Sequence, residues 1–260
     1  MKKIMIYLLF SVMLLAYNDS DFDGVADEHD LCPNSEMTDI VDLTGCTIEK
    51  LINKENQPHH FDIIMGVNYI EESKSLNESL QTDYYYNDFA LELRTAHYDK
   101  MGIGDTTTTL YYTLKTESKL SFRFGVSAIL PTYDSFLNNN KIDYTTSLFM
   151  NYQIKSLSLF GGIGYTFMGD DDINNTSYKI TYQNAPNYYL GFGSYFIPKL
   201  YSSFIYTFSD KSYKEGEALK NLSFYNYYII NNHWFTNFGY NFGLTDNASN
   251  QSYINLGYYF

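Results

Sequence analysis

Apolar and polar side chains alternate over short stretches of the chain from about residue 61 onwards. In the stretch SKLSFRFGVSAIL, the apolar residues Leu120 to Leu130 occupy every second position, whereas Ser121, Arg123 and Gly125 share the other face. Successive side chains of a β-strand point to opposite faces, so this period of two predicts strands with one apolar face. The pattern recurs in SLSLFGGIGYTF and HWFTNFGYNFGL, and the sequence contains no apolar stripe of helical period. An all-β domain is therefore predicted.

Twelve candidate strands follow one another in this region, and the connections between them alternate in length. Short connections such as Asn87-Asp88 alternate with longer polar ones near residues 71–78, 99–105, 132–141, 169–185, 210–220 and 245–250. This alternation is typical of an up-and-down antiparallel barrel whose two ends face different compartments. An even number of strands places both termini at one end. The predicted strands begin near Phe61, Ser79, Phe89, Thr106, Lys119, Ile142, Ser156, Pro186, Lys199, Leu222, His233 and Gln251.

The distribution of charge over the two strand faces favours a membrane barrel over a soluble sandwich. In the clearest strands the apolar face carries no charged residue, and the mid-strand charges Asp62, Glu92, Arg94 and Arg123 lie on the polar face. A charge facing lipid near the bilayer midplane costs ~2–4 kcal/mol, so its absence from the apolar face is expected in a membrane. The twenty-eight tyrosines suit aromatic girdles at the two membrane interfaces.

The chain ends in YINLGYYF, with Tyr258 and the C-terminal Phe260 on one face. This ending resembles the terminal-strand signal that the outer-membrane assembly machinery recognises in bacterial barrels. With the twelve strands, it makes the region 61–260 resemble a small bacterial outer-membrane β-barrel. The resemblance implies that outer-membrane lipid and the assembly machinery are partners. The oligomeric state stays open.

The first sixteen residues, MKKIMIYLLFSVMLLA, place two lysines before a short apolar run. The run is shorter than the ~20 residues of a membrane-spanning helix, so residues 1–16 are predicted to be a secretory signal peptide. The chain contains only two cysteines, Cys32 and Cys46, and export to an oxidising compartment predicts one disulfide between them. The formal net charge of −13 argues against a nucleic-acid partner.

The stretch DSDFDGVADEHD has the ligand spacing of a calcium loop. Counted from Asp19, acidic residues lie at positions 1, 3, 5, 9 and 12, with glycine at position 6 and a carbonyl ligand at position 7. With Cys32 and Cys46, residues 17–46 resemble the thrombospondin type 3 repeat found in linkers of OmpA-type proteins, where it binds calcium. One calcium site is predicted, and a solvated acidic linker without metal is the alternative. The predicted ligands are Asp19, Asp21, Asp23, Val25, Asp27 and Asp30.

Residues 47–60 lack a sustained apolar pattern and are interpreted as a linker before the barrel at residues 61–260. The function predicted from these features is a porin-like channel for small solutes. Glu92, Arg94 and Arg123 are candidate lumen charges, which either select solutes by their field or pair into a plug. A non-conducting structural or adhesive outer-membrane protein is the alternative. A barrel-wall hydrolase and a secreted soluble β-sandwich are disfavoured, and no catalytic residues are predicted.

Overall fold

The structure, a computed structural model, describes residues 30–32, 35, 39–41, 44, 46–50, 59–98, 102–116, 118–132, 141–174 and 179–260. The chain divides into two compact units, Met1–Ile52 and Asn53–Phe260. The predicted signal peptide, residues 1–16, lies outside the described residues. Among the described residues, no helix is long and apolar enough to cross a membrane.

The first unit contains a small antiparallel hairpin and the disulfide. Strand β1 (Asp39–Val41) pairs with β2 (Thr47–Lys50). The bridge between Cys32 and Cys46 joins Cα atoms 5.1 Å apart, which confirms the predicted disulfide. The first four residues of the predicted linker therefore form a strand, because they pair with β1. The sequence did not reveal this hairpin, because β1 is too short to show an alternating pattern.

The second unit contains twelve long antiparallel strands, each beginning within four residues of its predicted start. Three further strands of two residues lie in the connections. In chain order the strands are β3 (His59–Ile70), β4 (Ser75–Tyr86), β5 (Phe89–Tyr98), β6 (Gly102–Ile103), β7 (Thr106–Lys115), β8 (Leu120–Leu130), β9 (Asp143–Ile154), β10 (Leu157–Phe167), β11 (Ile173–Asn174), β12 (Lys179–Ile180), β13 (Ala185–Ile197), β14 (Leu200–Ser209), β15 (Leu219–Ile229), β16 (Trp234–Gly243) and β17 (Gln251–Tyr259).

Two boundaries differ from the sequence prediction. The first barrel strand begins at His59, so His59 and His60 belong to the barrel and their assignment to the linker was wrong. Their rings pair across the hairpin with Tyr84 and Tyr85, which extends the strand beyond its apolar part. Strand β4 begins at Ser75, so the connection predicted near residues 71–78 is only a four-residue turn.

The long strands pair in sequence order and close into a barrel, because β17 pairs with β3. The five connections of two to four residues that follow β4, β7, β9, β13 and β15 define the short-turn end. There, Asn87 adopts a positive φ of 53°, which asparagine tolerates better than most residues. Both ends of the barrel sequence lie at this end, since the backbone N–H of Phe260 donates to the carbonyl of Phe61. The remaining six connections define the long-loop end.

The outer face has an aliphatic belt between two rows of aromatic side chains. In the belt, Met65, Ile163 and Leu190 are 62%, 62% and 68% exposed, which is unusual for large apolar residues in water. Aromatic residues at both ends and an apolar band between them are characteristic of membrane barrels. The aromatic row at the short-turn end includes Tyr84, Tyr86, Phe89, Tyr112, Tyr152, Trp234 and Phe260, and the row at the long-loop end includes Tyr69, Tyr144, Phe167, Tyr188 and Phe242.

Two pairs of polar side chains on the outer face contact each other. Glu78 alternates with Leu76 and Leu80 and so faces outward, and its carboxylate lies 3.7 Å from the imidazole of His97 on β5. Nearer the short-turn end, the Ser202 hydroxyl donates to the side-chain carbonyl of Asn226 at 2.6 Å. Unpaired polar groups are costly away from water, so this mutual pairing is what an apolar surrounding requires. The apolar face therefore carries the carboxylate of Glu78, which the sequence did not reveal because the alternation in β4 is irregular.

The inner face is polar and rich in glycine, but it also carries many tyrosines. Assigning all of the tyrosines to outer girdles was therefore wrong for at least ten of them. Alternation separates two faces, but it does not say which tyrosines stand on which face until the strand register is known. At Gly257 an added Cβ would collide with the inward ring of Phe235, so glycine there makes room for an aromatic side chain. The inward tyrosines are Tyr85, Tyr98, Tyr111, Tyr189, Tyr195, Tyr201, Tyr225, Tyr227, Tyr253 and Tyr259.

Candidate functional site

Three carboxylates form a row on the inner wall of the barrel. Asp62 on β3 is the register partner of Asp83 on β4, and Asp83 is the register partner of Glu92 on β5. Each lies on the inner face because its neighbours along the strand, such as Leu91 and Leu93, are exposed outside. Asp62 and Asp83 are each only 4% exposed. The barrel thus concentrates negative charge on one arc of its wall.

A network of side-chain hydrogen bonds holds two members of this row. The Gln81 amide N–H donates to Asp83 Oδ2 at 2.8 Å, and the Gln81 carbonyl accepts from Arg94 Nη2 at 2.8 Å and from Arg94 Nε at 3.1 Å. Arg94 also lies 3.4 Å from Glu92 Oε1. Arg94 is therefore engaged by Gln81 and Glu92, and its charge offsets that of Glu92.

Arg123 belongs to a separate aromatic part of the inner wall. Its guanidinium carbon lies 4.0 Å from the centroid of the Tyr111 ring, a cation–π distance. Tyr111 contacts Phe149, with ring centroids 6.1 Å apart, and Phe149 contacts Tyr189 at 5.6 Å. This line of rings crosses five neighbouring barrel strands, from β7 to β13. Aromatic faces as well as charges therefore shape the interior.

The structure places Glu92, Arg94 and Arg123 on the inner face, which is the placement that the alternation predicted. They lie on β5 and β8, which only β7 separates in the sheet, so they do not oppose one another across the barrel. The alternation in the sequence predicted that Asp62 faces the interior, but it did not reveal that Asp83 and Gln81 do so as well. Asp83 stands in the irregular stretch LQTDYYY, whose alternation is weak.

A cavity of about 630 Å³ occupies the interior between the strands β3 to β5 and β15 to β17. Asp62, Asp83, Gln81 and Arg94 line it from β3 to β5, and aromatic rings line it from both groups of strands. A volume in this range is typical of sites for small molecules. The aromatic lining comprises Tyr85, Tyr98, Tyr225, Tyr227, Phe235, Tyr253 and Tyr259.

The two ends of the barrel differ in charge. The described parts of the connections at the long-loop end contain ten Asp and Glu and five Lys, whereas the described parts of the short turns contain one Asp and three Lys. Several loop carboxylates hold the loops together: Asp172 accepts from the backbone N–H of Tyr182 at 2.9 Å. The backbone N–H of Asn250 lowers the pKa of the Glu72 carboxyl, which favours its charged form. The long-loop end therefore presents a negative rim.

Five of the six predicted calcium ligands, Asp19, Asp21, Asp23, Val25 and Asp27, lie outside the described residues. Asp30 is described, and its Oδ1 accepts a hydrogen bond from the backbone N–H of Cys32 at 2.7 Å. Its Oδ2 is buried without a hydrogen-bond partner among the described residues. Within the described part of the chain, no group of three or more His, Cys, Asp or Glu is arranged to hold a metal ion.

The proposed assembly signal lies at the seam where the barrel closes. Tyr258 and Phe260 share the outer face, with ring centroids 4.7 Å apart. Phe260 also contacts Phe61 on β3, at a centroid distance of 5.7 Å. The last residue of the chain thus joins the final strand to the first through both backbone and side chain.

No protein-family model and no curated protein matches this chain. Among solved structures, it is similar to the NanC porin, with a TM-score of 0.60, 12% identity, and coverage of 76% of this chain and 99% of that chain. It is also similar to the KdgM porin in complex with disordered oligogalacturonate (TM-score 0.56, 12% identity, 76% of this chain and 98% of that chain). An outer membrane channel from Pseudomonas putida F1 is a third (TM-score 0.55, 12% identity, 78% and 95%). The chain therefore has the β-barrel fold of outer-membrane porins.

Proposed function

We propose that this protein is an outer-membrane channel for small solutes. The observation that carries the proposal is a closed barrel of twelve strands with an apolar, girdled outer face and a polar interior that contains a cavity of about 630 Å³. Closure satisfies the backbone groups of every long strand, as a hydrocarbon surrounding demands. Twelve strands make a wider barrel than the eight whose side chains fill the lumen.

The structural neighbours support a channel without identifying its solute. The NanC and KdgM structures are porins, and KdgM is in complex with disordered oligogalacturonate. Galacturonate units carry carboxylates. The inner wall of this barrel also bears carboxylates, those of the buried residues Asp62 and Asp83. Like charges repel one another, so under our proposal the solute of this chain differs in charge from the oligogalacturonate in the KdgM complex.

A non-conducting structural or adhesive protein is the second candidate. The observation that favours it is the inward crowding of rings, such as Tyr227 against Phe235 at 5.3 Å and Phe235 against Tyr259 at 4.6 Å. Together with the bonds between Arg94, Gln81 and Glu92, these rings would narrow the lumen. Long loops at one end would then provide the functional surface.

Recording from the purified full chain in a planar bilayer distinguishes the two candidates. A channel is expected to pass potassium chloride in discrete, reproducible current steps, because the interior is polar. A heat-denatured sample of the same preparation serves as the control. Absence of steps from protein that is folded, as shown by heat-dependent gel mobility, would reject the channel and leave the structural role.

The proposed location is the outer membrane, with the barrel embedded in lipid and assembled by the outer-membrane machinery. Under this proposal the segment before β3 lies in the periplasm, since the barrel sequence begins at the short-turn end. The negative rim of the long-loop end then faces outward. Fractionation of cells that express the chain tests this location, and recovery in the soluble periplasmic fraction would contradict it.

We also propose that residues 17–46 bind one calcium ion. Asp30 supports the proposal, because its buried Oδ2 has no hydrogen-bond partner among the described residues and a cation would satisfy it. Asp19, Asp21, Asp23 and Asp27 would provide carboxylates, and Val25 a backbone carbonyl. The disulfide between Cys32 and Cys46 restrains the chain beside the loop.

Calcium titration of the full chain in detergent is expected to release heat with a dissociation constant of ~10⁻⁴–10⁻³ M, the range of extracellular modules. The double substitution Asp21→Ala with Asp23→Ala should abolish the heat, because it removes two ligands. Asp88→Ala, a carboxylate in a barrel turn, is the control and should leave it unchanged. Equal heat from the wild type and the double variant would contradict the site.

A further inference from the structure

The cavity inside the barrel combines aromatic rings with two carboxylates that form no ion pair among the described residues. Asp62 and Asp83, both 4% exposed, lie side by side on β3 and β4. In each, Oδ1 is buried without a hydrogen-bond partner among the described residues. Neither forms an ion pair with a lysine or arginine in the described part of the chain, since Arg94 is engaged by Gln81 and Glu92. Two adjacent buried carboxylates are costly when no cation contacts them directly, and a bound positive charge would offset that cost.

The side of the cavity on β15 to β17 carries several rings that contact one another, beside two asparagine side chains. Phe235 packs between Tyr227 and Tyr259, with centroid distances of 5.3 and 4.6 Å. The hydroxyl groups of Tyr227 and Tyr259 form a hydrogen bond with each other at 2.5 Å. Tyr225 and Tyr253 add two further rings to the lining. Aromatic faces that are held in place beside negative charge attract an ammonium group.

Two other ligand classes fit this cavity less well. A bare metal ion needs several convergent ligands, and no such group of His, Cys, Asp or Glu exists among the described residues. An anionic solute would meet the carboxylates of Asp62 and Asp83, whereas Arg94, which also lines the cavity, is already engaged by Gln81 and Glu92. An organic cation gains from both the carboxylates and the rings, and a volume of about 630 Å³ accommodates one.

We propose that this cavity is a binding site for small organic cations that carry an ammonium group. The inference rests on the proposed channel function, for which it names the solute class. The negative rim of the long-loop end supports it, because ten acidic residues against five lysines in the described loops raise the local concentration of cations. The site would then select ammonium-bearing solutes from that population inside the barrel.

Calorimetric titration of the detergent-solubilised full chain with tetramethylammonium chloride tests the site, with sodium chloride at equal concentration as the reference. Saturable binding is expected for the wild type. The double substitution Asp62→Asn with Asp83→Asn keeps the side-chain shape and removes both charges, so binding should weaken on the order of tenfold. Asp88→Asn makes a charge change of the same kind outside the cavity and should bind like the wild type.

A second pair of variants tests the aromatic side. Tyr253→Phe keeps the face of a lining ring and should retain binding, whereas Tyr253→Leu removes that face and should weaken binding several-fold. Heat-dependent gel mobility must show that each variant is folded. If the Asn double variant or the Leu variant binds as tightly as the wild type, the proposed site is wrong. Tighter binding of glucuronate or of methyl glucoside than of tetramethylammonium would also overturn it.

Calorimetry and bilayer recording separate the two proposals. Potassium current without tetramethylammonium binding would reject the cation site and keep the channel. Tetramethylammonium binding that depends on Asp62 and Asp83, without any current, would reject the channel and keep the site as a receptor for the same solute class. If both proposals hold, tetramethylammonium should also carry or block current, and this effect should be lost in the Asn double variant.

Discussion

Deletion of Phe260 is expected to lower the amount of folded protein in the outer membrane several-fold. The residue extends the seam between β17 and β3 through a hydrogen bond from its backbone N–H to the Phe61 carbonyl at 2.9 Å. Its ring contacts Phe61 and Tyr258, and each aromatic pair contributes about 0.5–1.5 kcal/mol beyond the burial of its area. The lost hydrogen bond adds about 1 kcal/mol. The deletion also removes the terminal aromatic residue that the assembly machinery is proposed to recognise.

Two measurements separate the loss of stability from the loss of recognition. Heat-dependent gel mobility of outer-membrane fractions reports assembly in cells, and denaturant unfolding after refolding in detergent reports stability alone. Phe242→Ala is the matched control, because Phe242 is also an outward aromatic with a ring neighbour, Tyr240, but lies at the long-loop end. Assembly of the Phe260 deletion at the level of this control would reject a special role for the C-terminus.

Neutralising Arg94 and Arg123 is expected to shift the selectivity of the channel towards cations. Both side chains face the interior and carry permanent charge. Two unit charges about 8 Å apart in water interact by about 0.5 kcal/mol, so each removed charge should change the cation-to-anion permeability ratio about twofold. The double variant Arg94→Gln with Arg123→Gln should therefore raise the ratio about fourfold. Reversal potentials across a potassium chloride gradient measure the ratio.

Glu92→Gln is expected to change the ratio in the opposite direction, because it leaves the charge of Arg94 without the carboxylate that lies 3.4 Å away. Lys119→Gln is the control, since Lys119 is exposed in a turn at the short-turn end. If the arginine and glutamate variants shift the reversal potential in the same direction, or no more than the Lys119 variant does, these residues do not set the selectivity. If Arg94 and Glu92 instead close the lumen, breaking their contact should raise the single-channel conductance.

The sequence by itself was sufficient for the class of fold, because that class depends on local pattern. A period of two over ten or so residues predicts a strand wherever it occurs, as in the segment from Leu120 to Leu130. The number of strands, the alternating connections apart from the first, and the outward position of Phe260 followed from the same local signal. The pairing of Cys32 with Cys46 also followed, because only two cysteines were available.

The tertiary structure decided which side chains meet, because register depends on partners that are distant in the sequence. Asp62, Asp83 and Glu92 form one row only because β3, β4 and β5 pair in a particular register. Tyr259 stands beside Asp62 only because β17 closes on β3. A shift of one residue would turn every side chain of a strand to the other face. The acidic, aromatic cavity therefore exists in the closed barrel and has no counterpart in any single stretch of the sequence.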